Sequence, residues 1–550
     1  MRFSTLLLFF SAFLFSNDYI FLDESVMQGL IFKHDHGGSG ERYYIESIGS
    51  GVCLLDYDND NDLDIYFCQG SELPGWDKDI VLENKLFRND LGHWVDVTSS
   101  AGVGGDKSYS FGCACGDVDN DGDSDLYVTN FGDDDFYKNN GDGTFTNMAE
   151  STGVKNPEWG SSVAFFDMDM DGFLDIYVTN YVEYSLNNNP WCGDRRKNLR
   201  DYCMPDWFPG VKDYLFHNQG DWVFKDVSTS SGIAHYKGKG LGVIPADFDQ
   251  DGDLDLYVAN DKVMNHFFIN DGKGNFEENA MFTGVGFNED GLAEAGMGVD
   301  IGDVNGDGWQ DIFVTNFTGE SNTVYFNNQK GFFNDETNFS GLTQPSWNYV
   351  GFGTKLLDLN YDGWLDLFVV NGHVSENVNN ILKDQTHAQR KQLFLNNQDG
   401  SFQELSIDEI GDLKIPSVGR GAAFGDLDND GDIDAVIANN NGSSNLLIRQ
   451  GHPSKNWIGI LLIGVNSNKD AIGSKMTIST KHFSQVKYVN TAGSYLASND
   501  KRLLFGLDNF TVVDKIIIDW PSGELDEFKN LNANQYYQIV EGGAISVLDY

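Results

Sequence analysis

Along this chain, short runs of small apolar residues lead into acidic turns, and runs rich in β-branched and aromatic residues lead out of them. The entering runs read GVCLLD, FGCACGD, SSVAFFD, LGVIPAD, MGVDIGD and GRGAAFGD, and the leaving runs include DLYVTN, DIYVTN, DLYVAN and DIFVTN. Both have the length and composition of strands. A third run follows with an Asn-rich turn (KLFRND, YLFHNQG, HFFINDG, LFLNNQDG), and a fourth comes after that turn (WVDVT, FKDVS, FEENA, FNDET). A four-strand unit recurring at intervals of 50 to 80 residues predicts the blades of a propeller, not helical repeats.

The seventh unit has three strands, ending near Asn445 to Gln450, and no fourth run after them. The missing phrase stands at the other end of the chain, where FLDES from Phe21 and GLI from Gly29 match the fourth-strand phrase FKDVS and SGI. The first strand is therefore expected to complete the last blade, giving an all-β, seven-bladed propeller over 19–450 with no long free edge.

Each acidic turn is a nine-residue cassette, Asp-x-Asp/Asn-x-Asp-Gly-x-x-Asp. Oxygen donors at positions 1, 3, 5 and 9 around a glycine turn are expected to converge on one hard cation, and flexible oxygen-only coordination suits calcium better than magnesium. The side-chain donors are Asp56, Asp58, Asp60 and Asp64 in the first copy, and Asp117, Asp119, Asp121 and Asp125 in the second. The third supplies Asp167, Asp169, Asp171 and Asp175, and the fourth Asp247, Asp249, Asp251 and Asp255. Asp303, Asn305, Asp307 and Asp311 follow in the fifth, Asp358, Asn360, Asp362 and Asp366 in the sixth, and Asp426, Asp428, Asp430 and Asp434 in the seventh. About seven calcium ions are expected, held most weakly where Asn305 and Asn360 remove a charge. Asn61 replaces the glycine in the first copy and is the next residue most tolerant of positive φ. An EF-hand is excluded, because position 12 is Phe67, Val128, Val178, Val258, Val314, Val369 or Ile437 where that loop needs a glutamate.

The cassettes with their flanking strands resemble FG-GAP (VCBS) repeats, the units of the seven-bladed integrin alpha-subunit propeller. The opening segment GLIFKHDHG…ESIGSGVCLLDYDND resembles the cartilage acidic protein family. NWIGILLIGVNSNKDAIGSKMTI, AGSYLASNDKRLLFGL and VDKIIIDWPSGELDEFKNLNANQYY are similar to the ASPIC/UnbV domain that closes members of that family. The resemblance implies a calcium-binding propeller with a binding or adhesion role. The segment 456–541 alternates apolar and polar residues in short runs and predicts a small β-sandwich or barrel. It contains no cassette and is expected to be indifferent to calcium.

The charge is strongly acidic, 84 Asp and Glu against 36 Lys and Arg for a net −48, and no basic stripe is present to meet a nucleic acid. Arg2 followed by an apolar run from Leu6 to Phe15 reads as a secretory signal over 1–16, too short to span a membrane. No other apolar run reaches membrane length, so a secreted, periplasmic or cell-surface protein is expected. Cys192 and Cys203 lie in a polar insertion and are expected to form a disulfide. Cys53 and Cys68 flank the first cassette, where a bridge between them is one reading, and Cys113 and Cys115 read as buried thiols.

These features favour a secreted calcium-binding scaffold for a protein or glycan ligand. A carbohydrate-active or other hydrolytic enzyme and a purely structural envelope or matrix component are the alternatives. No GxSxG, HExxH or phosphate loop is present. His34, His36 and Glu46 form the best available set for acid–base chemistry, and no catalytic residue is assigned. The starts of the first strands should ring the channel mouth opposite the cassettes, which nominates Glu46, Tyr109, Trp159, Lys239, Glu294 and Asn348 as a ligand rim.

Overall fold

The structure, a computed structural model, describes residues 19–451 and 455–548; the signal expected over 1–16 lies outside the described residues. Seven antiparallel blades surround a central axis. Blade 2 shows the pattern: Ser110–Gly116 enters the cassette, Asp125–Asn130 leaves it, and Gly132–Asn139 and Phe145–Asn147 complete the sheet outward. In blade 7 the outer strand is Phe21–Asp23, which pairs antiparallel with Asn445–Arg449. The seven first strands pack side by side around the axis, and Gly419–Gly425 of blade 7 closes the ring on Val52–Leu55 of blade 1. Their small residues have a steric cause. A Cβ on Gly298 would lie 2.0 Å from the Phe352 carbonyl oxygen of the next blade, so a larger residue there would push the inner strands apart.

The last aspartate of each cassette fastens its blade. One oxygen accepts the N–H of the third-strand residue that closes the sheet: Asn89, Asn139, Asn218, Asn270, Asn327, Asn396 or Arg449, at 2.8–2.9 Å. In six blades the other oxygen accepts the N–H of cassette position 2, as Asp125 does from Val118 at 3.2 Å. The asparagine side chain then crosses to the preceding blade. Asn139 Nδ2 donates to the Tyr57 carbonyl at 2.8 Å, and Asn89 Nδ2 carries the same bond from blade 1 to Leu427 of blade 7 at 3.1 Å. In blade 7 the Arg449 guanidinium replaces the amide and donates to the Leu359 carbonyl. Blades are thus joined to their neighbours by one repeated buried hydrogen bond.

Residues 456–548 form two facing four-stranded sheets. One contains Trp457–Ile463 and Tyr536–Val540, the other Lys475–Ser479 and Val512–Asp519, and apolar residues such as Ile460, Ile478, Ile516 and Ile539 fill the space between them. The first sheet gains Ala544–Leu548 beyond residue 541. The same apolar cluster runs on into Val163, Phe165 and Ile176 of the propeller. The sandwich also sends a segment, Gly493 to Asn499, into the central channel. Ser494 exchanges backbone hydrogen bonds with Val299 of blade 5, and its Oγ accepts the Thr354 N–H of blade 6 and donates to the Ala422 carbonyl of blade 7. Leu496 bonds Val52 of blade 1 and Ser162 of blade 3, Ser498 accepts from Cys115 of blade 2, and Asn490 reaches Pro245 of blade 4. Tyr495, fully buried, spans to the far end and donates to the Ile48 carbonyl at 3.0 Å. Residues 490–499 therefore touch all seven blades, so the sandwich is tied to the first strands around the axis.

The Cys192–Cys203 bond, which clips the insertion, is the one expected, and two other cysteine readings change: Cys53 does not pair with Cys68, and Cys113 is not a thiol. Cys53 is bonded to Cys113 of the neighbouring blade, not to Cys68, because its side chain faces the adjacent first strand while Cys68 lies past the end of Asp64–Phe67. Cys68 and Cys115 are buried thiols.

Two outcomes are expected. Truncating Tyr495 to alanine removes a large side chain from the channel and should cost about 3–5 kcal/mol. Because the plug ties both modules, calorimetry of the wild-type chain should show one transition, and Tyr495→Ala should lower the melting temperature of both modules; two independent wild-type transitions would contradict this. The second concerns Asp213, which accepts the Asn180 N–H at 2.7 Å and the Tyr177 hydroxyl at 2.9 Å at a position filled by Asn84, Asn265 and Asn322 in blades 1, 4 and 5. Burial pushes its carboxyl up from 3.8 to about 7. The unfolded chain ionises near pH 4 while the folded one holds its proton, so wild-type stability falls as pH rises from 4 to 7. Asp213→Asn lacks this loss and should be more stable than wild type by about 1–3 kcal/mol above pH 7, with no gain near pH 4, in urea melts across pH. A destabilised variant at pH 8 would refute the reasoning.

Candidate metal centres on the cassette face

Every cassette is wound by hydrogen bonds to its own carboxylates. In the second, the Asp117 oxygens accept the N–H groups of Asp121 at 3.1 Å and Gly122 at 2.7 Å, and Asp121 accepts from Asp123 at 3.0 Å. Position 6 lies at positive φ, from 72° at Asn61 to 102° at Gly252, which is the demand glycine meets. Position 4 is left-handed too, at Asn59, Asn120, Met170, Gln250, Gly306, Tyr361 and Asn429, a feature the pattern DxDxDG conceals. Several of these side chains reach the next cassette: Asn120 Nδ2 donates to the Gly172 carbonyl at 2.9 Å and the Tyr361 hydroxyl to that of Gly431 at 2.7 Å.

The winding brings donors together. Carboxylate oxygens of Asp56, Asp58 and Asp64, of Asp117, Asp119 and Asp125, of Asp167, Asp169 and Asp175, and of Asp247, Asp249 and Asp251 each lie within 4.8 Å of one another. Oδ1 of Asp119 and of Asp169 is buried without a hydrogen-bond partner. Burial, then neighbouring acids, drives Asp117 up to about 7, with Asp470 the largest acidic contributor. Burial likewise raises Asp167 to about 7 and Asp56 and Asp247 to about 6. Crowded, part-buried oxygens with spare lone pairs and a penalty on every charge fit a dication. In the fifth and sixth cassettes the amide oxygens of Asn305 and Asn360 accept the N–H of position 5 at 3.0 and 2.9 Å.

A residue outside the motif distinguishes the cassettes. The third-strand residue before the latching position is Arg88, Lys138 and His217 in blades 1 to 3, and Ile269, Phe326, Leu395 and Ile448 in blades 4 to 7. Arg88 turns to Asp90 at 2.7 Å. The Lys138 ammonium sits on Asp119 and lies 3.2 Å from Asp121, so a metal entering the second cassette must displace a cation already there. This competitor is absent from the expectation that Asn305 and Asn360 alone mark the weak sites. The sandwich covers the same face: Asp470 accepts the Asp117 N–H at 2.7 Å, the Tyr536 hydroxyl donates to Asp426 at 2.6 Å, and Arg502 donates to the Asp426 carbonyl at 2.6 Å.

The expected ligand rim is a covered layer, not an open surface. The insertion folds back over the mouth and is held there by its own aromatics and the Cys192–Cys203 bond. Trp159 is buried among Tyr44, Phe111, Phe131, Tyr181 and Tyr184. Glu46 accepts from the Tyr43 N–H and the Tyr202 hydroxyl, each at 2.9 Å, and burial raises its carboxyl. The Tyr109 hydroxyl bonds the His36 carbonyl at 3.2 Å, and Lys239 Nζ bonds that of Pro205 at 2.9 Å. Glu294 accepts from Asn288, Asn316 and Thr323, and Asn348 is exposed. His34 is fully buried, which lowers its pKa to about 3, and its Nδ1 accepts the Asn441 N–H; His36 Nδ1 accepts that of Gly38. The aromatic residues Tyr202 and Phe208 within the polar insertion are the signal that it packs inward.

Replacing Lys138 with leucine, the residue blade 6 carries at this position, should tighten calcium binding at the second cassette by roughly 1 kcal/mol, about fivefold. Calcium titration calorimetry of wild type and Lys138→Leu checks this. Weaker binding by the variant would show that the ammonium supports the site.

Models of known families match in two regions. That for the FG-GAP-like repeat matches residues 117–178, 247–314, 303–369 and 358–437, and that for ASPIC and UnbV matches residues 464–546. Cartilage acidic protein 1 of Mus musculus is 23% identical over 315 residues, 56% of this chain and 46% of its own length. That of Homo sapiens is 23% identical over 330 residues, 59% of this chain and 47% of its own. The chain spans about half the length of the curated relatives it matches. Among solved structures, YCF48 bound to D1 peptide is 9% identical, with TM-score 0.41, over 76% of this chain and 94% of its own. An Agrocybe aegerita lectin that recognises non-reducing terminal N-acetylglucosamine is 16% identical, with TM-score 0.37, over 72% and 87%. With its repeats and closing domain matched, the chain belongs to the FG-GAP-repeat β-propeller proteins with an ASPIC and UnbV domain, the family of cartilage acidic protein.

Proposed function

We propose that the protein is an exported, calcium-loaded propeller that serves as a binding scaffold for a protein or glycan ligand. The observation that carries this reading is the convergence of three carboxylates in one cassette after another, with an unpartnered position-3 oxygen in the second and third. Oxygen-only donors on a glycine turn suit calcium, and extracellular modules use such sites at millimolar cation. Two disulfides fit an oxidising compartment. Among the described residues no helix is long and apolar enough to cross a membrane. With the axial mouth covered, recognition falls to the outer surface of the cap, where Trp207 is 62% and Met204 50% exposed. Exposed Trp and Met side chains supply the apolar anchors that binding surfaces use.

The test joins metal analysis to a ligand screen on the full chain. We expect about seven calcium ions per chain at millimolar calcium, and capture of a protein or glycan that is lost in chelator and weakened by Trp207→Ala. A stoichiometry below about four would sink the assignment of one ion to each cassette. Release of a product from a captured glycan would replace the scaffold with an enzyme.

A further inference from the structure

We infer that the third cassette is a site for a borderline transition dication of the zinc type, with His217 as its nitrogen ligand. The inference rests on the reading of the cassettes as cation sites and separates this one from the other six. His217 is on the third strand of blade 3 immediately before the latch residue Asn218. The corresponding residue is a cation on blades 1 and 2 and apolar on blades 4 to 7. Among the described residues, an ion-pair-distance contact between an imidazole and cassette oxygens is found at His217.

His217 Nε2 lies 3.3 Å from Asp169 Oδ2 and 3.7 Å from Asp171 Oδ2. The histidine and both aspartates offer ligand atoms that all fall within 4.8 Å of one another. His217 Nε2 makes no hydrogen bond despite this approach, and Asp169 Oδ1, the other oxygen of the same carboxylate, is buried without a hydrogen-bond partner. Metal–nitrogen and metal–oxygen bonds of about 2.0–2.2 Å at tetrahedral angles place donor atoms roughly 3.3–3.6 Å apart, close to the separations here. Spacing alone does not set calcium apart, since six to eight ligands at about 2.3–2.6 Å crowd its donors to similar separations; donor type does, because calcium takes oxygen, not imidazole. Nitrogen with carboxylate oxygens is the donor set of zinc, cobalt and nickel. Asp167, whose oxygen converges with that of Asp169, supplies a further carboxylate. The side chain that fills the same space in blade 2, Lys138, meets the same two cassette positions as a fixed cation. The neighbouring blades thus treat homologous oxygens in different ways: one is neutralised from within, the other is left open and given a nitrogen.

The full chain, held in millimolar calcium so that oxygen-only sites are filled, is titrated with cobalt(II), whose visible absorption reports geometry and nitrogen ligation, and zinc is then used to displace it. The wild type should show a cobalt band at one equivalent per chain, bleached by zinc. His217→Leu, which installs the side chain of blade 6, should weaken that event roughly tenfold or more and leave the calcium bound by the other six cassettes unchanged. Lys138→His should create a second cobalt equivalent, a gain that loss of folding cannot mimic. A wild type without the band in calcium, or a band equally strong in His217→Leu, overturns the inference. Calcium is measured in the same samples, so failure of the calcium reading, with no calcium in any variant, is told apart from failure of this one, with calcium present and no His217-dependent band.

Discussion

The aspartate at cassette position 9 holds the molecule together. It accepts a backbone N–H from the third strand in all seven blades and, in six, a second from its own loop; the third-strand side chain that it positions then crosses to the blade before. A carboxylate that accepts two N–H groups needs no proton, yet burial holds Asp64, Asp125, Asp175 and Asp311 far above their ordinary range. The two effects oppose, and desolvation is the larger. An ion bound to the remaining lone pairs reverses that balance, because it restores the charged form that the backbone already favours. Blade closure and ring closure therefore share one side chain, which in the first three blades also lies among the candidate cation ligands. Asparagine at this position would keep one acceptor and lose the other, which is why the amide is used instead one strand away, where a donor is needed.

The sandwich exploits the same face. Lys501, half-buried, pairs with Asp470 and feels both Asp117 and Asp56, and Lys487 stands near Asp358. Basic residues are scarce in this chain, so their placement against the cassettes matters. The contacts fall mostly on cassette backbone, as at the Asp117 N–H and the Asp426 and Tyr361 carbonyls, and leave the oxygens at positions 3 and 5 open. Docking thus orders the same loops that carry the candidate cation ligands.

What could be read from the chain was local. Cassettes, strand boundaries and the turn glycines repeat within about ten residues, and the seven-bladed, all-β architecture follows from their count. What escaped depends on contacts distant in sequence. The segment GSYLAS has the composition of an ordinary loop, and nothing in it says that Tyr495 reaches Ile48, 447 residues away. The Cys53–Cys113 bond was hidden because it joins two blades rather than two paired strands. The expected rim failed for a related reason: counting back from the cassette correctly finds the opposite end of each first strand, but not the insertion that covers it. Lys138 and His217 sit in the repeat in plain view, yet a motif defined by its acids gives no reason to compare the residue preceding an asparagine two strands later.

That last comparison carries a general point about repeats. Seven copies of one loop need not be seven copies of one site, because the identity of a site is set by groups that the repeat unit borrows from its neighbours. In blade 2, Lys138 offsets cassette charge by pairing with Asp119 and Asp121 while the motif residues themselves stay the same, and the Trp222 indole of the next blade donates to the same Asp119. In blade 6, Leu395 leaves the acids to themselves, and the Gln398 amide reaches Asp362 instead. The cassette supplies the geometry, and the adjoining third strand decides which charge completes it. Because that strand also carries the latch residue, a change of cation preference can arise at one position without loosening the ring.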